Sequence, residues 1–163
     1  MAREATDLAA CILKLCCMSK ELLFVDPHFS AEKRFTAVFQ EFIRISHLDG
    51  QTYQRIEFHT GSKIPKTVLE SECHRWIVPG LPRGVSVPIC RWRERVPGEK
   101  LHARYVLTER GGIHFEVGLD SGEPGQTTDV SLLNDTLHKT RWADFQPSSA
   151  AFDLVDDFTI VGR

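Results

Sequence analysis

The residue pattern predicts an α/β domain: a mixed, mostly parallel sheet flanked by helices, with an antiparallel hairpin added late in the chain. Three observations carry this expectation. Short apolar runs that stop at Asp26-Pro27 and at His59-Thr60-Gly61 alternate with segments whose apolar residues recur at helical spacing. Such alternation implies strand–helix–strand crossovers and parallel neighbours. After Pro97-Gly98, two strand-like segments flank Arg110-Gly111-Gly112, which is how a hairpin reads.

Each element has its own justification. Leu8, Ile12, Leu15 and Cys16 fall at helical spacing, so residues 1–20 open with a helix capped near Thr6 or Asp7. Residues 21–25 form an apolar run suited to a strand buried on both faces. Ser30 can cap the next helix, whose stripe of Phe35, Val38, Phe39, Phe42 and Ile43 is the clearest periodic signal in the chain. A polar turn around Asp49-Gly50 precedes a strand over 53–58. Pro65-Lys66-Thr67 opens a third helix that buries Val68, Leu69, Cys73, Trp76 and Ile77, and Pro79-Gly80 ends it. Val85, Val87 and Ile89 then alternate with polar positions, while Pro88 argues for an edge, a bulge or an early stop. The hairpin strands run over 101–108 and 113–118. A Gly-rich loop over 121–128 leads to a helix near 135–145, and 152–160 forms the last strand.

Composition narrows the function classes. With 163 residues, 42% of them hydrophobic and 26% charged, the chain suits one domain over 1–163. A formal charge of -2 excludes a global positive field, so phosphate binding requires a local patch. The cysteines Cys11, Cys16, Cys17, Cys73 and Cys90 show no C-x-x-C spacing and fall mostly in apolar runs. They read as buried thiols of a reducing cytosol, with no disulfide framework and no zinc centre. The apolar run 8–18 is interrupted by Lys14 and too short to span a bilayer, and no positive leader precedes it. The expectations are no transmembrane segment, a cytoplasmic location, and no cofactor or metal.

The segment that stands out for chemistry is His102-Ala103-Arg104-Tyr105-Val106-Leu107-Thr108-Glu109. Alternate residues of a strand share a face, which places His102 and Arg104 on one side about 7 Å apart. There the imidazole can act as nucleophile and the guanidinium as an oxyanion clamp.

This segment resembles the phospholipase D-like superfamily, whose mark is a histidine, a lysine two residues later and an aspartate seven later. The matching positions hold His102, Arg104 and Glu109. Leu101-His102-Ala103-Arg104, Gly111-Gly112-Ile113 and Val117-Gly118-Leu119-Asp120 together are similar to one branch of it. That branch is the phospholipase D-like C-terminal domain found behind MIT domains in endosomal-sorting proteins, with its prokaryotic relatives. The similarity extends from about 22 to about 133, leaving 134–163 as a C-terminal helix and strand. It implies a single phospholipase D-like domain. In active members the histidine forms a phosphohistidine and two motif copies meet, which implies a homodimer contributing His102 from each subunit. In the MIT-associated branch it implies a protein- or membrane-interaction module without hydrolysis. Arg104 replaces the lysine, and Gly118-Leu119-Asp120-Ser121 stands where the superfamily has G-S/T-x-N.

Further candidates surround the motif. Arg91, Arg93 and Arg95 share one parity, as a phosphate-backbone track or as a solvated strand end neutralised by Glu94 and Glu99. Asp26 is a ligand-facing carboxylate at a strand end or a plain turn residue. His59 and Ser62 form a phosphate cradle or an ordinary loop. His114, beside Glu116, is second-layer support or a surface residue, and Asp120 either repels a diester or positions Arg104. The functional expectation is binding of a phosphodiester, nucleic acid or other anionic group through H-x-R-x4-E, within a homodimer or larger protein assembly, in the manner of a defence-type effector. The alternatives are a metal-independent homodimeric phosphodiesterase or nuclease, with Glu109 orienting an imidazole, and an inert interaction module.

Overall fold

The computed structural model describes residues 1–163, the side chain of Asp49 excepted. Its elements are α1 (Ala5–Cys17), β1 (Glu21–Val25), α2 (Lys33–Ser46), β2 (Arg55–Gly61), α3 (Lys66–Trp76), β3 (Ser86–Glu94), β4 (Arg104–Thr108), β5 (Gly112–Phe115), β6 (Val130–Leu132), α4 (Asp135–Asp144) and β7 (Phe152–Val161). The strands make one seven-stranded sheet in the order β6-β5-β4-β1-β2-β3-β7. The expected mixed α/β sheet between helices is present. Its balance differs, because β1/β2 and β2/β3 are parallel while the other four pairings are antiparallel. Parallel neighbours need a long crossover. Only α2 and α3 supply one between strands that end up adjacent, so β4 and β7 add to the free edges of the parallel trio in the opposite sense.

Alternation along the strands divides the core. Leu22, Phe24, Phe58, Val87, Ile89 and Val106 face α1, α2 and α3. Leu23, Val25, Cys90, Trp92, Tyr105 and Leu107 face the other way, towards α4 and Phe152. The stripe read from α2 is buried along its full length. Its aromatic rings meet the sheet directly: Phe24 stacks on Phe42 at 5.0 Å, and Phe58 lies 4.4 Å from Phe29 and 5.0 Å from Phe39.

Several expectations shift at the edges of elements. α1 starts at Ala5, with Glu4 as its N-cap, ahead of the Thr6 and Asp7 expected there. Glu32, not Ser30, takes the N-cap position of α2. α3 buries Leu69 and Cys73 but leaves Val68 46% and Trp76 53% exposed. Pro88 lies in β3, which has neighbours on both sides, yet the ladder to β2 begins only at Ile89. The missing N–H therefore falls where β3 has β7 alone beside it. The three-residue β6, opposite Ile113–Phe115, has too little periodicity to be read from sequence. The cysteines are all free, with Cys16, Cys73 and Cys90 buried and Cys17 exposed. Among the described residues, no helix is long and apolar enough to cross a membrane.

Phe58, 1% exposed at the centre of the aromatic cluster, sets the first test. Phe58→Ala is expected to lose about 3–5 kcal/mol of unfolding free energy in urea titration, the range for a phenylalanine removed from a packed core.

Candidate functional site

β4 begins at Arg104, and the chain from Leu101 to Ala103 is irregular. Strand alternation therefore does not reach His102, and the face expected to unite His102 with Arg104 is not formed. His102 is exposed, its Nδ1 lying 3.2 Å from the Lys100 carbonyl oxygen. It lines a pocket of about 200 Å³ together with Tyr105, His114, Arg141 and Phe145.

That pocket lies between the β4–β5 hairpin and α4, with residues 99–103 as its lip. Tyr105 and His114 are direct cross-strand partners, with ring centroids 5.4 Å apart. Arg141 enters from α4. Its Nη1 donates to Asp144 at 2.9 Å and lies 3.7 Å from Glu99, while its buried Nε has no partner. Burial is the main influence holding the His114 pKa below the ordinary imidazole value. Glu116 opposes this, and the charges of Arg104, Arg141 and His102 add to it. His114 is thus a neutral imidazole at pH 7, able to accept a proton.

Arg104 points elsewhere. Its Nε is 4.0 Å from Oδ1 of Asp26, which is fully buried where β1 leaves the sheet. Asp26 Oδ1 accepts from the His28 N–H at 2.9 Å and Oδ2 from the Leu119 N–H at 2.7 Å. Burial pushes the Asp26 carboxyl pKa up, against the two N–H donors and Arg104. Asp26 is thus a structural anchor rather than a ligand-facing group. Asp120, also buried, is held by Arg3 at 2.9 Å and Arg34 at 3.2 Å. It neither faces His102 nor pairs with Arg104.

Glu109 sits at the far end of β4 from His102. Its carboxylate accepts from the backbone N–H groups of Lys20 and Glu21 at 2.8 and 3.0 Å. A five-residue strand, roughly 17 Å at ~3.4 Å per residue, lies between them. Burial pushes the Glu109 carboxyl up, but the N–H donors outweigh it and hold the pKa below the ordinary value. Glu109 pins the start of β1 and orients no imidazole.

His59 is likewise committed. Its ring is 1% exposed and both nitrogens are engaged: Trp92 Nε1–H donates to Nδ1 at 2.9 Å, and Nε2 lies 2.9 Å from Glu57. An indole N–H can only donate, so Nδ1 is the acceptor and Nε2 carries the proton. Glu57, His59 and Cys90 bring their potential ligand atoms within 4.8 Å of one another. The protonated Nε2 cannot ligate a cation, and burial pushes the Cys90 thiol up to about 12. This cluster fits neither a metal nor a thiolate nucleophile; His59 borders a recess of about 280 Å³, but both its nitrogens are already taken by Trp92 and Glu57.

The arginine row separates into different roles. Arg91 is buried, with Nη1 on both oxygens of Asp156 at 2.6 and 2.7 Å and Nη2 on the Ile64 carbonyl at 2.6 Å. Arg95 is tied to Asp153 at 2.8 Å and to the carbonyls of Ser149 and Ala150. Arg93 is exposed and without an ion pair, in a second pocket of about 300 Å³ with His28, Ser62, Lys63 and Leu101. Reading the sequence missed His28, Lys63, Tyr105 and Arg141. The hairpin turn carried a usable signal for Tyr105, since pairing across it sets that residue opposite His114. Arg141, brought in by α4, left none.

Two measurements follow. Glu109→Ala is expected to lower stability by about 1 kcal/mol, leaving two N–H groups to water, and to leave the His102 pocket unchanged in ligand titrations. For His59, burial depresses the folded pKa and the neighbouring Arg55 charge adds to this, against the pull of Glu57. The unfolded chain therefore takes up the proton first as pH falls below about 6.5. Its stabilisation is complete above that pH and is lost as pH falls through the depressed folded value. Denaturant melts across this range should show a shallower fall in His59→Asn, with the remaining slope due partly to His114.

No protein-family model and no curated protein matches this chain, so a functional reading rests on the chain's own residues and geometry.

Proposed function

We propose that the chain binds a phosphodiester or similar anionic group in the pocket of His102, His114, Tyr105 and Arg141, as a variant phospholipase D-like domain working within a larger assembly. The observation that carries this is the convergence of two imidazoles, a phenol and a guanidinium on one recess. Each can donate to phosphate oxygen, and a guanidinium binds it as a charge-assisted fork. Asp144 and Glu99 balance Arg141 in the pocket, so protonation of His114 supplies surplus positive charge. Affinity for an anion then rises as pH falls through the depressed His114 value.

One observation favours hydrolysis as a second reading. His102 and His114 line the same pocket of one chain, which removes the need for a second subunit to supply the other imidazole. The neutral His114 could attack phosphorus, forming an N–P bond as the P–O bond to the leaving alcohol breaks. A protonated His102 would give its proton to the departing alkoxide. Water, deprotonated by His102, would then cleave the N–P bond and restore both imidazoles.

The test is titration of dithymidine monophosphate and bis(p-nitrophenyl) phosphate in EDTA, with His102→Ala, His114→Ala and Arg141→Ala alongside. Affinity should fall about tenfold in each folded variant, the loss of one charge-assisted hydrogen bond. EDTA-resistant release of nitrophenol that disappears in His114→Ala would establish the hydrolytic reading. Unchanged affinity in all three variants would overturn the pocket assignment and leave the domain as an interaction module.

A further inference from the structure

The carboxyl ends of the three parallel strands carry a set of basic side chains that the histidine pocket does not use. His28 follows β1, Lys63 follows β2 and Arg93 lies near the end of β3, and all three line the recess of about 300 Å³ that also takes in Ser62. A parallel α/β sheet presents its loops for ligand binding at this end. The loops after β1 and β2 are held close: the Gly61 N–H donates to the Pro27 carbonyl at 3.2 Å, and a Cβ on Gly61 would come within 2.8 Å of the same oxygen. That approach sets His28 beside Ser62 and Lys63.

The charges here make no direct ion pair, unlike their neighbours, although Glu94 lies close enough to Lys63 to feel its charge and Asp153 is the cross-strand partner of Arg93. Arg91 and Arg95 are each paired to a β7 aspartate. Glu94, the one carboxylate lining the recess, accepts from the Leu101 N–H at 2.9 Å and pairs with Lys100 at 3.4 Å. Among the described residues, no carboxylate lies within ion-pair distance of the side chains of His28, Lys63 or Arg93. Leu101 lines both this recess and the histidine pocket, so the two adjoin across a single side chain.

We infer that His28, Lys63 and Arg93 form a second phosphate site, occupied by the neighbouring phosphate of the same ligand, and that the ligand is a single-stranded nucleic acid whose backbone passes over Leu101. The inference rests on the proposed phosphodiester reading of the histidine pocket. Two adjoining anion sites match a chain of phosphates better than a lone one. A bilayer surface fits less well, because the only large exposed hydrophobic residue in the neighbouring loop among the described residues is Val96.

The experiment compares dithymidine monophosphate with a labelled oligothymidylate across a salt series, in the native chain and in Lys63→Ala/Arg93→Ala. Both side chains are exposed, so the variant should keep its melting temperature. Removing two phosphate contacts should flatten the dependence of log affinity on log salt by about 1.4, at roughly 0.7 per single-strand contact. The affinity advantage of the oligothymidylate over the dinucleotide should fall at least tenfold. If both ligands bind and neither slope nor advantage changes, the second site is overturned while the histidine-pocket reading stands. If neither ligand binds, that reading fails and takes the second site with it. Binding to phosphatidylserine vesicles without binding to the oligothymidylate would overturn the nucleic-acid assignment and give these cations to a membrane surface.

Discussion

A single buried carboxylate, that of Asp26, joins the parts of the structure on which the rest is arranged. It sits at the exit of β1 and accepts N–H groups from His28 on its own loop and from Leu119 beyond the hairpin. Arg104, at the start of β4, lies against it. Three stretches distant in sequence are thereby fixed at one end of the sheet. Burial of a carboxylate in this way is costly unless its lone pairs are engaged, and here two backbone donors engage them while the Arg104 guanidinium, 4.0 Å away, adds its charge without a hydrogen bond. Arg104 lies towards this carboxylate, and the irregular chain before it separates it from His102.

From that anchor the two pockets follow. His28, held by Asp26, forms one wall of the recess at the ends of the parallel strands. The start of β4 and the exit of β5 are aligned at the same end, which sets Tyr105 and His114 side by side beneath α4. Neighbouring cations are divided by competition for the acidic strand β7: Arg91 takes Asp156 and Arg95 takes Asp153, so Arg93, although opposite Asp153 in the β3/β7 register, makes no ion pair, and neither does Lys63. Net charge says nothing about this division, since it depends on which carboxylate each cation meets.

The network around His59 illustrates how a suggestive group becomes structural. A histidine, a glutamate and a cysteine lie close enough for chemistry. The Trp92 indole fixes the tautomer from the other side of the ring, and burial keeps the thiol protonated. The cluster instead braces β2 against β3, with Phe145 packed edge-on to both His59 and Trp92.

By itself the sequence determined most of the elements and most of the core, β6 and the exposed Val68 and Trp76 excepted. The α2 stripe, the turn at Asp26-Pro27, the hairpin around Arg110-Gly111-Gly112 and the mixed α/β class are local or periodic properties, written in residues a few positions apart. It also marked His102 and His114 as chemically notable. Only the tertiary structure decided the sense of the outer strands, because β4 and β7 choose their neighbours by which edges are open. Tertiary structure also started β4 only at Arg104, sent Glu109 to the N–H groups of Lys20 and Glu21, and delivered Arg141 to the histidines. Those outcomes depend on which buried donor or charge most needs a partner across distant parts of the chain, and spacing along the chain does not encode that.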